Sequence, residues 1–204
     1  MRVAFFGGTF DPIHRGHLAI ASAAADSFSL DLVLFAPVGR QPLKAKCAVA
    51  SFADRLAMVE AALRAEPIDK RFDVSTLDAP RSDGTPNYTI DTLSTLADEN
   101  PGASLFVLTG ADSFLTMRKW RASDTLLAIA DWIVVSRPEF PVDQERLSPL
   151  ALTPQQQARI HVLAGIHEEV SATELRRRLK AGDPCAGLLP APVADFIQTH
   201  HLYL

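Results

Sequence analysis

Arg2-Val3-Ala4-Phe5-Phe6-Gly7-Gly8-Thr9-Phe10-Asp11-Pro12-Ile13-His14-Arg15-Gly16-His17-Leu18 stands at the head of the chain and decides its fold class. The first five residues are too few for a helix, and their aromatic and β-branched content predicts a short buried strand. Gly7 and Gly8 follow at once, where a backbone without Cβ can turn sharply and come close to a ligand. From Gly16 to Ser27 the sequence is rich in alanine, which predicts a helix. In open α/β sheets a strand, glycine loop and helix in this order hold phosphate, because free N–H groups and the positive end of the helix dipole face the ligand.

His14 and His17 lie three apart at the loop-to-helix junction, so both rings can reach one face. A packed His17 with an exposed His14 would be an ordinary structural pair. Beside a loop able to hold an anion, however, imidazole donors suit a transition state whose charge builds on phosphate oxygens. A zinc site needs further ligands that this spacing does not supply, although His161, His167, His200 and His201 lie downstream.

The string from Gly7 to Leu18 resembles the GGTFDPxHxGH signature of bacterial nicotinate-nucleotide adenylyltransferases, within the wider HxGH nucleotidyltransferase superfamily. HxGH alone is shared with cytidylyltransferases, pantetheine-phosphate adenylyltransferases and class I aminoacyl-tRNA synthetases, whereas the twelve-residue string is much more specific. The resemblance implies an α/β fold, a doubly wound and mainly parallel sheet with helices on both faces, of the Rossmann-like nucleotidyltransferase type.

Composition agrees with such a fold. The 204 residues, 48% hydrophobic and 22% charged, suffice for one sizeable core, and residues 1–204 are expected to form a single nucleotidyltransferase domain. A net charge of −4 argues against general nucleic-acid binding. No window approaches the roughly 20 apolar residues of a membrane span, and no basic leader precedes the first strand. Cys47 and Cys185 form neither a metal-ligand spacing nor a disulfide framework, so the cytoplasm is the expected location.

Outward from the first motif, Asp31–Ala36 reads as a parallel strand covered on both faces. The following loop, Val38 to Lys46, carries three cations at a strand's C-terminal end. A solvated basic loop would explain it, but the resemblance to a PPHK-like segment makes Lys44 a candidate phosphate and nicotinate-nucleotide ligand, with Gln41 and Leu43 departing from the pattern. Ser51 and Asp54 predict a helix start, with Leu56, Val59, Ala62 and Leu63 on its inner face. Arg55 and Met58 match an R-x-x-M spacing and read as structural. Phe72–Ser75 reads as a strand and residues 79–86 as loop.

Asn87 to Leu93 starts another helix, in which Thr89 could be a simple cap. The segment resembles the family's SYTIDTL motif, which implies that Tyr88 and Thr89 meet the pyridine nucleotide. Ser104–Thr109 reads as a central strand ending in Gly110 and Asp112, where Asp112 could cap a helix or accept from ribose. The resemblance favours the nucleotide. Trp120 matches the family's tryptophan and could be core or stack on a ring; Arg121 is a candidate partner of a substrate carboxylate. Trp132–Ser136 reads as a strand ending in Arg137, which resembles the family's RP at the nucleotide site. Residues 139–154 read as a connection and Ile160–Leu163 as the last strand, with His161 structural.

Ser171 and Glu174 form an S-x-x-E capping pattern, and Leu175 with Leu179 marks the inner face of that helix. A cap and a solvated basic face would explain the segment. It nevertheless resembles the ISSTxIR motif, with Val170, Ala172 and Leu175 as departures. That resemblance implies that Ser171, Thr173 and Arg176 grip the β and γ phosphates of ATP, making 171–204 a C-terminal segment with a second phosphate motif.

The family implies AMP transfer from ATP to nicotinate mononucleotide, giving deamido-NAD and pyrophosphate, with Mg²⁺ arriving on ATP. The implied catalytic set is His14, His17, Lys44 and Arg176. ATP contacts are expected from Gly7, Gly8, Thr9, Phe10, His17, Gly110, Asp112, Arg137, Ser171, Thr173 and Arg176. Nicotinate-nucleotide contacts are expected from Lys44, Tyr88, Thr89, Trp120 and Arg121. A homo-oligomer is compatible with the sequence. The alternatives are a sister HxGH enzyme taking nicotinamide mononucleotide, phosphopantetheine or a cytidylyl group, and a nucleotide sensor without catalysis.

Overall fold

The computed structural model describes residues 1–43, 48–64, 69–136, 141–165 and 170–204. Six strands form one sheet: β1 (Arg2–Gly8), β2 (Leu32–Pro37), β3 (Phe72–Val74), β4 (Ser104–Gly110), β5 (Asp131–Val135) and β6 (Ile160–Leu163). Their order is β3-β2-β1-β4-β5-β6, and every neighbouring pair is parallel. The chain therefore reverses its direction of winding between β1 and β4, and ligands of such sheets bind at the carboxyl edge of that switch point. Gly7–Gly8 and Gly110 end the two strands there.

Burial on both faces explains the apolar strand composition. Successive side chains of β1 alternate: Ala4 and Phe6 enter one hydrophobic cluster, while Val3 and Phe5 enter the other. The first face is covered by α1 (Arg15–Ser27), α2 (Phe52–Arg64), α8 (Ala172–Lys180) and α9 (Ala191–Thr199), through residues such as Ile20, Val59, Leu175 and Val193. The opposite face packs against α3 (Thr89–Glu99) and α5 (Ser123–Ile129), through Leu93, Leu96, Leu126 and Leu127. The short helix α4 (Ala111–Phe114) adds Phe114, whose ring lies 5.6 Å from that of Trp132. This is the doubly wound architecture expected.

Three local expectations need correction. The inner face of α2 is Arg55, Met58, Val59 and Ala62, with Leu56 and Leu63 only half-buried. The helix is turned so that an arginine enters the core, because main-chain acceptors wait for it there. Residues 141–154, the described part of the expected connection 139–154, are not a bare connection. They contain α6 (Gln144–Leu147), capped by Asp143 through the Arg146 amide at 2.9 Å, and a 3₁₀ turn at Ser148–Leu150. Next comes α7 (Pro154–Gln157), whose start is a reciprocal capping box between Thr153 and Gln156. Last, the capping pattern of α8 is half made. Ser171 Oγ accepts from the Glu174 amide at 3.2 Å, but the Glu174 carboxylate turns to Arg177 at 2.6 Å and 2.8 Å.

Candidate active site

The loop after β1 is shaped by packing more than by glycine turning. Neither Gly7 nor Gly8 has a left-handed φ; the turn falls on Phe10, at φ 48°. A Cβ on Gly7 would stand 2.7 Å from the Phe5 ring and one on Gly8 3.0 Å from the Phe10 ring. The glycines let the aromatic rings fold against the strand end, which corrects the expectation of a turn made by glycine. Phe10 is itself a correction of emphasis. Its ring is buried against Phe6 and lies edge-on to His17 at 5.0 Å, so only its backbone can face a nucleotide.

His14 occupies the N-cap of α1 with extended backbone, and its ring stacks on that of His17 with centroids 3.7 Å apart. The His14 backbone N–H donates to His17 Nδ1 at 3.2 Å. That bond makes Nδ1 an acceptor, so the neutral His17 ring carries its proton on Nε2 and can donate from there. The i, i+3 spacing thus delivers two imidazoles to one helix N-terminus, as the sequence predicted.

A buried polar brace holds this loop. Arg55 is 2% exposed and donates from Nη1 to the Thr9 carbonyl at 2.6 Å and from Nη2 to the Val38 carbonyl at 2.9 Å. It clips together the ends of β1 and β2. Burial pushes its pKa down, opposed by the nearby charge of Asp11. Asp11 is 3% exposed, and its oxygens accept from the amides of Val49 at 2.7 Å and Ala50 at 3.1 Å and from the Tyr203 hydroxyl at 2.6 Å. Across the sequence, Arg176 donates from Nη1 to the Asp11 carbonyl at 2.7 Å and from Nη2 to Thr173 Oγ1 at 3.4 Å. The second motif, Ser171, Thr173 and Arg176, is thereby brought to the first. Arg177 and Arg178 are instead paired with Glu174 and Asp183.

Gly7 and Gly8 line a cavity of about 300 Å³, together with Asp112, Tyr88, Thr89, Trp120 and Arg121. Tyr88, not Thr89, is the N-cap of α3, which corrects the capping alternative; Thr89 is the first helical residue. The Arg121 guanidinium stacks over the Tyr88 ring at 4.8 Å. Trp120 both packs and lines the cavity: its ring meets Trp132 at 5.8 Å, and Nε1 donates to Thr116 Oγ1 at 3.1 Å. Gly110 caps α4, and a Cβ there would collide with Asp112 Oδ1 at 2.6 Å; Asp112 is therefore not the cap but an exposed residue at the cavity. Lys44 and Arg137 lie outside the described residues.

Several residues escaped the sequence reading. Asn87 accepts from the Arg40 amide at 2.9 Å, returns a bond from its own amide to the Arg40 carbonyl at 3.0 Å, and donates from Nδ2 to the Ala79 carbonyl at 2.9 Å. It stitches three loops into one cavity wall. Asp78, also in that wall, accepts from the Thr92 hydroxyl, and burial pushes its carboxyl pKa up. Lys119 lines the cavity beside Trp120. An asparagine just before a helix was the one local signal available. Among the described residues no three His, Cys, Asp or Glu side chains converge as a metal cage, and the carboxylate of Asp11 is already occupied by two amides and a phenol.

Residues 5–178 match the model of the cytidylyltransferase-like family. The probable nicotinate-nucleotide adenylyltransferase of Corynebacterium kroppenstedtii is 39% identical over 203 residues, covering 100% of this chain and 91% of that relative. The protein of the same name from Herpetosiphon aurantiacus is also 39% identical, over 100% of this chain and 98% of its own length. In fold, the chain is similar to the Plasmodium falciparum nicotinic acid mononucleotide adenylyltransferase solved with NaAD, at TM-score 0.80 and 16% identity, over 99% of this chain and 97% of that one. The paired histidines on a switch-point loop, the arginine from α8 bonded to the same loop at Asp11, and relatives of 39% identity matched over 91% and 98% of their own lengths place this chain in the nicotinate-nucleotide adenylyltransferase family of cytidylyltransferase-like nucleotidyltransferases.

Proposed function

We propose that the protein transfers AMP from ATP to nicotinate mononucleotide, releasing pyrophosphate and forming deamido-NAD. The observation that carries this is that two ligand surfaces are built on the loop and strand end around Gly7–Gly8: the stacked His14 and His17 with Arg176 bonded to their loop at Asp11, and a cavity lined by Gly7 and Gly8 together with Tyr88, Trp120 and Arg121. A 5′-phosphate held in the cavity can meet an α-phosphorus held by the histidines at the strand edge between them.

The chemistry is alignment and charge stabilisation. The phosphate oxygen of the mononucleotide attacks the α-phosphorus of ATP and the bond from that phosphorus to the α,β-bridging oxygen breaks, so that the oxygen leaves as part of pyrophosphate. His17, proton on Nε2, and His14 donate to the oxygens where charge develops; such donors typically contribute factors of about 10²–10³. Arg176, with Ser171 and Thr173 at the start of α8, takes the β and γ phosphates, and Lys44 and Arg137 are proposed to join them. Thr9, Gly110 and Asp112 complete the ATP side. Thr89 at the start of α3 and Arg121 over Tyr88 face the pyridine carboxylate, and Trp120 faces its ring. Mg²⁺ belongs to this reading as the counter-ion that ATP phosphates bring, neutralising charge there; among the described residues no group of three His, Cys, Asp or Glu forms a cage of its own. Residues 1–204 act as one nucleotidyltransferase unit whose second phosphate motif is 171–204. Among the described residues no helix is long and apolar enough to cross a membrane, and the cytoplasm, without nucleic-acid partners, is the proposed setting.

The test is pyrophosphate release from Mg²⁺-ATP with nicotinate mononucleotide and nicotinamide mononucleotide assayed side by side. Preference for the acid is expected from the cation over Tyr88. Equal rates would remove the carboxylate receptor from this account, and no release with either would overturn it.

A further inference from the structure

Tyr203 is the penultimate residue of the chain, yet its hydroxyl reaches Asp11 Oδ1 at 2.6 Å, across 192 residues of sequence. The tail is turned into this position by left-handed backbone at His201 and at Tyr203 itself, φ 51° and 62°. Its ring packs against the hydrophobic cluster on the α1, α2 and α9 face. Burial and the adjacent carboxylate push the phenol pKa far up, so it remains a donor throughout the working pH range.

Asp11 is the meeting point. Its side chain is shared by the tail and by the amides of Val49 and Ala50, while its carbonyl takes Arg176 Nη1 at 2.7 Å and its Oδ2 stands 3.8 Å from the same nitrogen. The Arg176 side chain is about one quarter exposed, with Nη1 anchored on Asp11 and Nη2 donating to Thr173 Oγ1 at 3.4 Å, so its guanidinium is fixed by this network yet reachable from solvent. Any displacement of residue 11 moves the arginine's anchor.

We propose that Asp11 and Tyr203 are a positioning pair that sets the guanidinium of Arg176 for the polyphosphate of ATP, so that the last turn of the chain tunes ATP binding and not mononucleotide binding. The inference rests on the reading of Arg176 as a phosphate ligand. Tyr203 itself touches no substrate. It acts through Asp11, whose carbonyl direction the hydroxyl bond helps to hold.

The experiment is Y203F, which deletes one oxygen and keeps the ring. The expected result is a roughly 2- to 30-fold rise in KM for ATP, the range that coupling through a packed network carries, with KM for nicotinate mononucleotide unchanged. Calorimetric titration with α,β-methylene-ATP should show the same weakening. Combined with R176K, Y203F should add nothing further, because both changes act through one contact. Equal effects on both substrates, or full additivity with R176K, would overturn the pair and leave Tyr203 as a stability residue. Should Y203F not fold, D11N carries the same expectation, since it removes the charge facing Arg176. A wild-type protein that bound the ATP analogue but released no pyrophosphate would refute the proposed activity alone; the calorimetric comparison would still decide the positioning pair.

Discussion

Replacing Arg55 by methionine should cost about 3–5 kcal/mol of folding stability. The side chain is 2% exposed and supplies two charge-assisted bonds, to the carbonyls of Thr9 at 2.6 Å and Val38 at 2.9 Å. Each such bond contributes about 1.5–3 kcal/mol, and each abandoned buried carbonyl costs about 1–3 kcal/mol, so the loss is dominated by acceptors left without donors. Asp11 also loses its buried cationic neighbour, a change of the kind that typically costs about 3–5 kcal/mol when one partner of a pair is removed. These costs overlap and do not add. Against them stands relief of Nε, which has no partner among the described residues. With an m-value of about 2 kcal/mol/M the urea midpoint should fall by roughly 2 M, followed by the fluorescence of Trp132 in the core. R55K, which keeps the charge but cannot span both carbonyls, should fall between the two. A midpoint for R55M within about 0.3 M of wild type would refute the brace, because it would mean that water or relaxation replaces both bonds.

H17A should lose about 10²–10³-fold in turnover while binding of an ATP analogue is largely kept; unchanged pyrophosphate release would remove His17 from the mechanism. D78N should flatten the pH dependence of stability. Burial raises the Asp78 pKa in the fold, so the folded state retains a proton that the unfolded chain releases. The contribution is full below the unfolded value of about 3.9 and is lost as pH rises through the folded value. The amide can still accept from Thr92, so urea midpoints of wild type and D78N should diverge in favour of D78N from pH 4 toward neutrality. Parallel curves would show that the ionised carboxylate is not a burden.

What the local sequence determined was where the main strands and helices around the first motif begin, since these depend on a few neighbouring residues. Four apolar residues, Val3-Ala4-Phe5-Phe6, followed by Gly7–Gly8 specify a short strand, the alanine run specifies α1, and the i, i+3 spacing of His14 and His17 lets their rings stack. Ser171 capped α8 as read, because an N-cap needs only its own N3 amide. Tyr88 and Trp120 are marked by the family resemblance and not by local propensity, and both line the cavity.

Only the tertiary structure decided the partners of charged groups far apart in sequence. Arg55 reads as structural from its R-x-x-M spacing, but its partners do not show in the sequence; it is buried because the winding of the chain brings the carbonyls of Thr9 and Val38 to it from two neighbouring strand ends. Arg176 and Tyr203 are 165 and 192 residues from Asp11, and no period or propensity encodes such a meeting. The strand order supplies it. With β1 central and α8 and α9 packed on the face beside α1, the end of the chain returns to its beginning. Side-chain pattern sets which face is buried, whereas the crossover connections set what that face is buried against.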